Sequence, residues 1–91
     1  MAVIEDQQHR RDLILRLKRI EGQLRGIQAM IDSGAECEKV TQQLSAARRA
    51  LDKTFVSVLA CAMQSTPETA TSAKAAEARV KHAAALLAKF G

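Results

Sequence analysis

The sequence predicts an all-α fold of three helices that form a single domain over residues 1–91. Ala and other good helix formers dominate the composition, two long segments carry apolar residues at helical spacing, and the chain contains one Pro. A chain of 91 residues arranged as long helices buries only a modest share of its surface by itself. We therefore expect self-association.

The first helix is predicted from about Asp6 to Asp32. Its apolar residues recur at alternating steps of four and three, which places them on one helix face: Leu13, Leu17, Ile20, Leu24, Ile27 and Ile31. Gly34 ends the helix, because Gly readily adopts the left-handed conformation that follows a last helical turn. Gly22 and Gly26, four residues apart, are predicted to permit a close approach between helices.

The second helix is predicted from about Glu36 to Gln64, and it forms a long antiparallel hairpin with the first. Its apolar stripe consists of Cys37, Val40, Leu44, Ala47, Leu51, Phe55, Val58 and Ala62. Thr66 is the predicted N-cap of a shorter C-terminal helix, with Pro67 at the first helical position. This helix runs to about Lys89 and is only weakly apolar, so we expect it to pack on a neighbouring helix.

The chain is basic, with a formal net charge of +4 and a pI near 9.5, which favours an anionic partner such as nucleic acid. In the antiparallel hairpin, Arg16 and Arg19 would lie near the level of residues 48–53 and form a basic band. From charge alone, a DNA-binding band and a solvated, salt-bridged face of a helical scaffold are equal alternatives. Because the sequence has no helix-turn-helix or zinc-finger pattern, a DNA contact would involve mainly phosphates.

Other functional classes are disfavoured by missing motifs. There is no apolar run of membrane length and no signal-peptide pattern, so the prediction is a cytoplasmic protein with no membrane partner. There is no Gly-rich phosphate loop and no convincing catalytic triad, so we expect neither an enzyme nor a bound cofactor.

The only two cysteines, Cys37 and Cys61, both fall in the second helix. About 24 residues separate them, which corresponds to about 36 Å along a straight helix. A disulfide requires α-carbons within about 7 Å, so the two thiols cannot pair inside one helix. If they act together, they must meet across a subunit interface.

Three stretches of the sequence together resemble one protein family. Residues 16–27 read RLKRIEGQLRGI, the pair Glu36-Cys37 opens the second helix, and residues 42–48 read QQLSAAR. These stretches resemble the CsoR/RcnR/FrmR family of bacterial transcriptional repressors. The resemblance covers roughly residues 9–64, and the third helix matches in length and placement.

The resemblance implies that two protomers pair their long second helices in an antiparallel dimer, and that two dimers form a disc-like tetramer. It also implies repression by binding double-stranded operator DNA, with release when an inducer reaches a site at the dimer interface. The DNA-contacting residues that it implies are Arg16, Lys18, Arg19, Arg48 and Arg49.

The inducer site departs from the family pattern. In copper sensors of the family, the Cys that opens the second helix binds metal together with a His and a Cys from the partner. Here these two positions hold Ala62 and Thr66, so the familiar metal site is incomplete. Cys61 stands one position before Ala62, about 120° around the helix from the direction of Cys37.

Two thiols without the His resemble the persulfide-sensing branch of the family. We therefore predict that a reactive sulfur species modifies Cys37 and cross-links it to Cys61 of the partner chain. Cys37 lies at a helix N-terminus, which favours the thiolate that attacks sulfane sulfur, whereas Glu36 and Glu38 oppose it.

The alternative within the same family is a repressor that responds to Cu(I), which accepts low coordination by thiolates. Its altered ligand set would be Cys37, Cys61 and His82, with His82 contributed by the third helix. Outside the family, the alternative is a helical scaffold with no role in DNA binding.

Overall fold

The computed structural model describes residues 3–63 and 73–91, and within these ranges the protein consists of α-helices without strands. The helices are α1 (Gln7–Asp32), α2 (Cys37–Met63) and α3 (Ala73–Phe90). The all-α prediction is confirmed, including the long helical hairpin and the shorter C-terminal helix. The predicted end of the second helix at Gln64, and the predicted start of the third at Thr66 and Pro67, lie outside the described residues.

Both ends of α1 carry the capping interactions that their sequence favours. Asp6 is the N-cap, and its Oδ1 accepts hydrogen bonds from the backbone amides of Gln8 at 2.9 Å and His9 at 3.4 Å. At the other end, Gly34 has a φ of +78°, and the Ala35 amide donates to the Met30 carbonyl at 2.9 Å. This last bond spans five residues, as in a Schellman motif, and it turns the chain toward α2.

The described residues form two compact units. Residues 5–56, which contain α1 and most of α2, form the first unit. Residues 3 and 4 group with the end of α2 from Ser57 and with α3 in the second. The chain passes between the units at residues 4–5 and again within α2 at residues 56–57.

The core of the first unit is narrow because only two helices cover each other. Leu13, Ile20 and Ile27 of α1 are each 4% exposed and follow one another at intervals of seven. Ala47 and Thr54 of α2, also seven apart, are buried to the same degree. The Thr54 hydroxyl donates to the Ala50 carbonyl at 3.1 Å, so its burial leaves no unpaired polar group.

The predicted apolar stripe of α1 is therefore only half buried. Leu17, Leu24 and Ile31 are between 40% and 60% exposed, although they alternate with the buried residues along the helix. The expected close approach at Gly22 and Gly26 is not made by the described residues, because a Cβ at either position would meet none of their atoms within 4 Å.

A second apolar surface lies on α2. We call it the α2 apolar stripe, and its members are Leu44, Leu51, Phe55 and Val58. Steps of seven, four and three residues place these side chains on one face, and all are between 38% and 49% exposed. Among the described residues, no helix has the length and apolar character needed to cross a bilayer.

Candidate basic groove and thiol pair

An open groove of about 620 Å³ lies between α1 and α2 in the first unit. We call it the basic groove, and its lining residues are Arg16, Arg19, Ile20, Gln23, Ala46, Arg49, Ala50 and Lys53. Low-numbered residues of α1 face high-numbered residues of α2, as the antiparallel hairpin requires. The small side chains of Ala46 and Ala50 leave room between the flanking cations, so the groove combines space with concentrated positive charge.

The cations of the groove are Arg16, Arg19, Arg49 and Lys53, and all four are exposed. Within the described parts of the chain, no carboxylate forms an ion pair with any of them. None of the described residues that line the groove is acidic. A group of like charges without a countercharge attracts anions, and clefts with low-dielectric walls strengthen that attraction.

The five residues that were predicted to contact DNA do not all lie in the basic groove. Arg16, Arg19 and Arg49 line the basic groove, whereas Lys18 and Arg48 do not. Lys18 follows Arg16 by two residues, a rotation of about 200°, so it projects from the other side of α1. Both Lys18 and Arg48 are exposed.

Lys53 and Gln23 are groove residues that were not assigned to the DNA-contacting set from the sequence. A signal for Lys53 was present, because it follows Arg49 by four residues and so shares its helix face. Gln23 follows Arg16 by seven residues and Arg19 by four, so it shares the face of α1 that carries both arginines.

Cys37 is the first residue of α2 and has an exposed, free thiol. Leu44 of the α2 apolar stripe follows it by seven residues, so Cys37 extends that stripe toward the start of the helix. The backbone there is fixed by local hydrogen bonds. The Thr41 hydroxyl donates to the Cys37 carbonyl at 2.8 Å, and the Val40 amide donates to the Glu36 carbonyl at 3.1 Å.

Cys61 lies in the last turn of α2 and has a half-buried, free thiol. Its Sγ donates a hydrogen bond to the backbone carbonyl of Val3 at 3.6 Å. The two cysteines therefore differ in environment, since Cys37 is open to solvent and Cys61 contacts the N-terminal segment.

His82 of α3 contacts the last turn of α2, which also contains Cys61. Its Nε2 is 3.2 Å from the carbonyl oxygen of Ala62, the residue that follows Cys61. Because a carbonyl only accepts hydrogen bonds, Nε2 carries the proton in this contact. His82 thus joins α3 to the last turn of α2 within the second unit.

The fit of these residues to a metal ion depends on how many chains contribute. Among the described residues of one chain, no three His, Cys, Asp or Glu side chains lie close enough together to hold a metal. The Nε2 of His82 is also engaged with the Ala62 carbonyl. The described residues of a single protomer therefore do not supply a metal site, and a site built from them would have to combine two chains.

Comparison with curated proteins finds a relative of part of the chain. The chain is 38% identical over 47 residues to a protein from Serratia marcescens described as "Uncharacterized protein in bioA 5'region". This match covers 52% of the chain and 52% of that protein, so the aligned part spans about half the length of the curated relative. No solved structure matches the chain.

The family described as metal-sensitive transcriptional repressor matches residues 9–89. This range includes all of α2 and nearly all of α1 and α3, so it covers the basic groove, both cysteines and His82. The chain therefore belongs to the family of metal-sensitive transcriptional repressors.

Proposed function

We propose that this protein is a cytoplasmic repressor whose operator DNA is released when a reactive sulfur species oxidises its cysteines. Persulfide or polysulfide modifies Cys37, which then forms a cross-link to Cys61 of the partner subunit. The observation that carries the proposal is the pair of free thiols at opposite ends of α2, one exposed and one half-buried.

The basic groove supports the DNA-binding part of the proposal. Its four cations lack carboxylate partners among the described residues, so they remain available for phosphates. Lys18 and Arg48 extend the contact to neighbouring faces of the same two helices. Phosphate contacts of this kind release counterions, which makes the affinity for double-stranded DNA strongly salt-dependent.

The α2 apolar stripe supports pairing between two copies of the chain. In an antiparallel pair of α2 helices centred near Arg49, Leu44 would lie level with Phe55 of the partner subunit. The same register brings Cys37 level with Cys61 of the partner subunit. One register thus matches the axial levels of both the apolar residues and the two cysteines, with Cys61 about 120° around its helix from the face that carries Cys37. Two such dimers would form the tetramer.

The sulfur donor is the only oxidant that the proposed reaction needs. The Cys37 thiolate attacks the outer sulfur of a persulfide RS–SH, which forms Cys37–S–SH and releases RS⁻. The Cys61 thiolate of the partner subunit then attacks the Cys37 sulfur, and HS⁻ leaves as the disulfide forms. The two cysteine sulfurs lose two electrons in total, and the sulfane sulfur gains them. A longer polysulfide bridge results if further sulfane sulfur is incorporated.

A cross-link at the dimer interface changes how the two α2 helices pack. Because each α2 also carries Arg49 and Lys53 of a basic groove, the cross-link displaces the grooves of the two subunits from their DNA-binding alignment. A difference of a few kcal/mol between the two states is enough to switch repression, since allosteric coupling is typically about 1–3 kcal/mol.

Titration of a persulfide donor into the complex with its own promoter DNA tests this proposal, with a strong metal chelator present throughout. We expect the unmodified protein to be released, and the Cys37→Ser variant to bind DNA with unchanged affinity but to ignore the donor. DNA binding is followed by fluorescence anisotropy. A Cys37→Ser variant that still responds fully would contradict the sensor assignment.

A second candidate, a Cu(I)-responsive repressor, is favoured by the contact between His82 and Ala62. That contact holds the imidazole at the residue after Cys61, so His82 would need only to exchange the Ala62 carbonyl for a metal ion to join Cys61 and Cys37 of a second chain. Stoichiometric Cu(I) binding that is lost in the Cys61→Ser variant, with no response to the persulfide donor, would select this candidate.

A further inference from the structure

The N-terminal residues Val3 and Ile4 lie against the C-terminal end of α2. The Val3 carbonyl accepts the hydrogen bond from Cys61 Sγ, a contact between residues 58 positions apart in the chain. Both residues also group with the compact unit that contains the end of α2 and α3, although they precede α1 in sequence. The bond places the Val3 carbonyl on Cys61, and the grouping places Val3 and Ile4 in the same compact unit as Cys61.

The bond depends on the chemical state of the thiol. A carbonyl oxygen can only accept, so Cys61 must supply the proton, and only the neutral S–H form does so. A Cys61 sulfur bonded to a second sulfur or to carbon has no proton left to donate. Any such modification also adds atoms to a half-buried sulfur that is 3.6 Å from the Val3 carbonyl oxygen.

The same segment is connected directly to the start of α1. Only Glu5 separates Ile4 from Asp6, whose carboxylate caps the first turn of α1. The chain passes from one compact unit to the other at this point. Val3 thus lies three residues before the N-cap of the helix that carries Arg16 and Arg19.

We propose that Val3 and Ile4 form a strap that the Cys61 thiol holds against α2, and that covalent modification of Cys61 releases it. How Cys61 becomes modified in the cell rests on the proposed function, in which Cys61 reacts with the persulfide on Cys37 of the partner subunit. The strap itself requires only the S–H···O=C contact within one chain.

Disulfide trapping tests whether the strap lies on Cys61. In a Val3→Cys/Cys37→Ser variant, mild oxidation should link the introduced thiol to Cys61 within one chain, with the loss of 2 Da and of both free thiols. The matched control is Gln7→Cys/Cys37→Ser, which places a thiol at the start of α1. We expect trapping at least tenfold faster at position 3, and equal rates at the two positions would overturn the strap.

Selective isotope labelling tests whether modification releases the strap. The sequence contains a single Val-Ile step, at residues 3 and 4. Labelling Val with carbonyl ¹³C and Ile with ¹⁵N therefore gives one correlation signal, which reports on the Val3 carbonyl. In Cys37→Ser protein, N-ethylmaleimide bonds Cys61 sulfur to carbon, and the thiol proton passes to the neighbouring carbon of the reagent.

We expect this alkylation to move the signal to a random-coil position and to narrow it. The control is Cys37→Ser/Cys61→Ala protein, whose signal should already lie near that position and should not respond to the reagent. An unchanged signal after complete alkylation of Cys61 would overturn the proposal. Neither experiment uses DNA or persulfide. The strap can therefore be confirmed even if the sensing mechanism is wrong, and the sensing mechanism can be confirmed even if the strap is wrong.

Discussion

At the scale of single residues, the end of α2 is held by side chains and backbone from outside the helix. The imidazole of His82 donates to the Ala62 carbonyl, and the Val3 carbonyl accepts from Cys61. Basic side chains commonly hydrogen-bond the last carbonyl groups of a helix, where they also meet the negative end of its dipole. His82 therefore has a structural role that is independent of any metal.

Replacement of His82 by Ala removes this contact to α2. We expect the free energy of unfolding to fall by about 1 kcal/mol, the usual net contribution of one hydrogen bond. The measurement is urea denaturation followed by circular dichroism. His82→Gln, which keeps a side-chain donor, should lose less. Equal stability of the His82→Ala and unmodified proteins would show that the contact contributes nothing measurable.

At the scale of helices, the basic groove is formed by α1 and α2 together. Neither helix alone carries the full set of cations, since Arg16 and Arg19 come from α1 and Arg49 and Lys53 from α2. The antiparallel hairpin brings them to one side of the buried seam, and the other groove residues are all uncharged. The α2 apolar stripe faces another direction, which leaves the groove accessible if that stripe pairs with a second copy.

Replacement of Lys53 by Ala tests the groove, because this residue lines it but was not in the DNA-contacting set implied by the family resemblance. Loss of one phosphate contact should weaken binding to all duplex sequences alike and reduce the slope of log affinity against log salt by about 1. The matched control is Lys89→Ala, a cation in the last turn of α3. The prediction fails if both variants show the same salt slope.

At the scale of the whole molecule, the chain leaves much of its apolar surface uncovered. All four members of the α2 apolar stripe are more than one third exposed, as are Leu17, Leu24 and Ile31 of α1. Contiguous apolar surface of this kind marks a site of association, because burial contributes about 1.5–3 kcal/mol for each large aliphatic side chain. The exposed surface agrees with the self-association expected from the length of the chain.

Replacement of Leu51 by Glu places a charge in the middle of the α2 apolar stripe. We expect sedimentation equilibrium to show a smaller species than the unmodified protein, since burial of an unpaired charge opposes association. Val80→Glu is the control, because Val80 is 68% exposed on α3 and lies outside the stripe. If the Leu51→Glu chain unfolds, the milder Leu51→Ala variant should still associate more weakly. Unchanged association in both Leu51 variants would contradict the pairing.

The sequence by itself determined the features that depend on local interactions. Helix formers and apolar periodicity predicted the three helices, Gly34 marked the end of α1, and the motifs in residues 16–27 and 42–48 identified the family. These features were predictable because a helix and its caps are stabilised mainly by residues within about four positions of one another.

Only the tertiary structure decided which of these residues meet. It buried Leu13 and left Leu17 exposed, although both lie on the predicted apolar face, because the hairpin covers just one strip of α1. It also placed Arg49 and Lys53, but not Arg48, in the groove with Arg16, and it brought the Val3 carbonyl against Cys61. The physical reason is that contacts between distant parts of a chain depend on packing and register, which local helical periodicity does not specify.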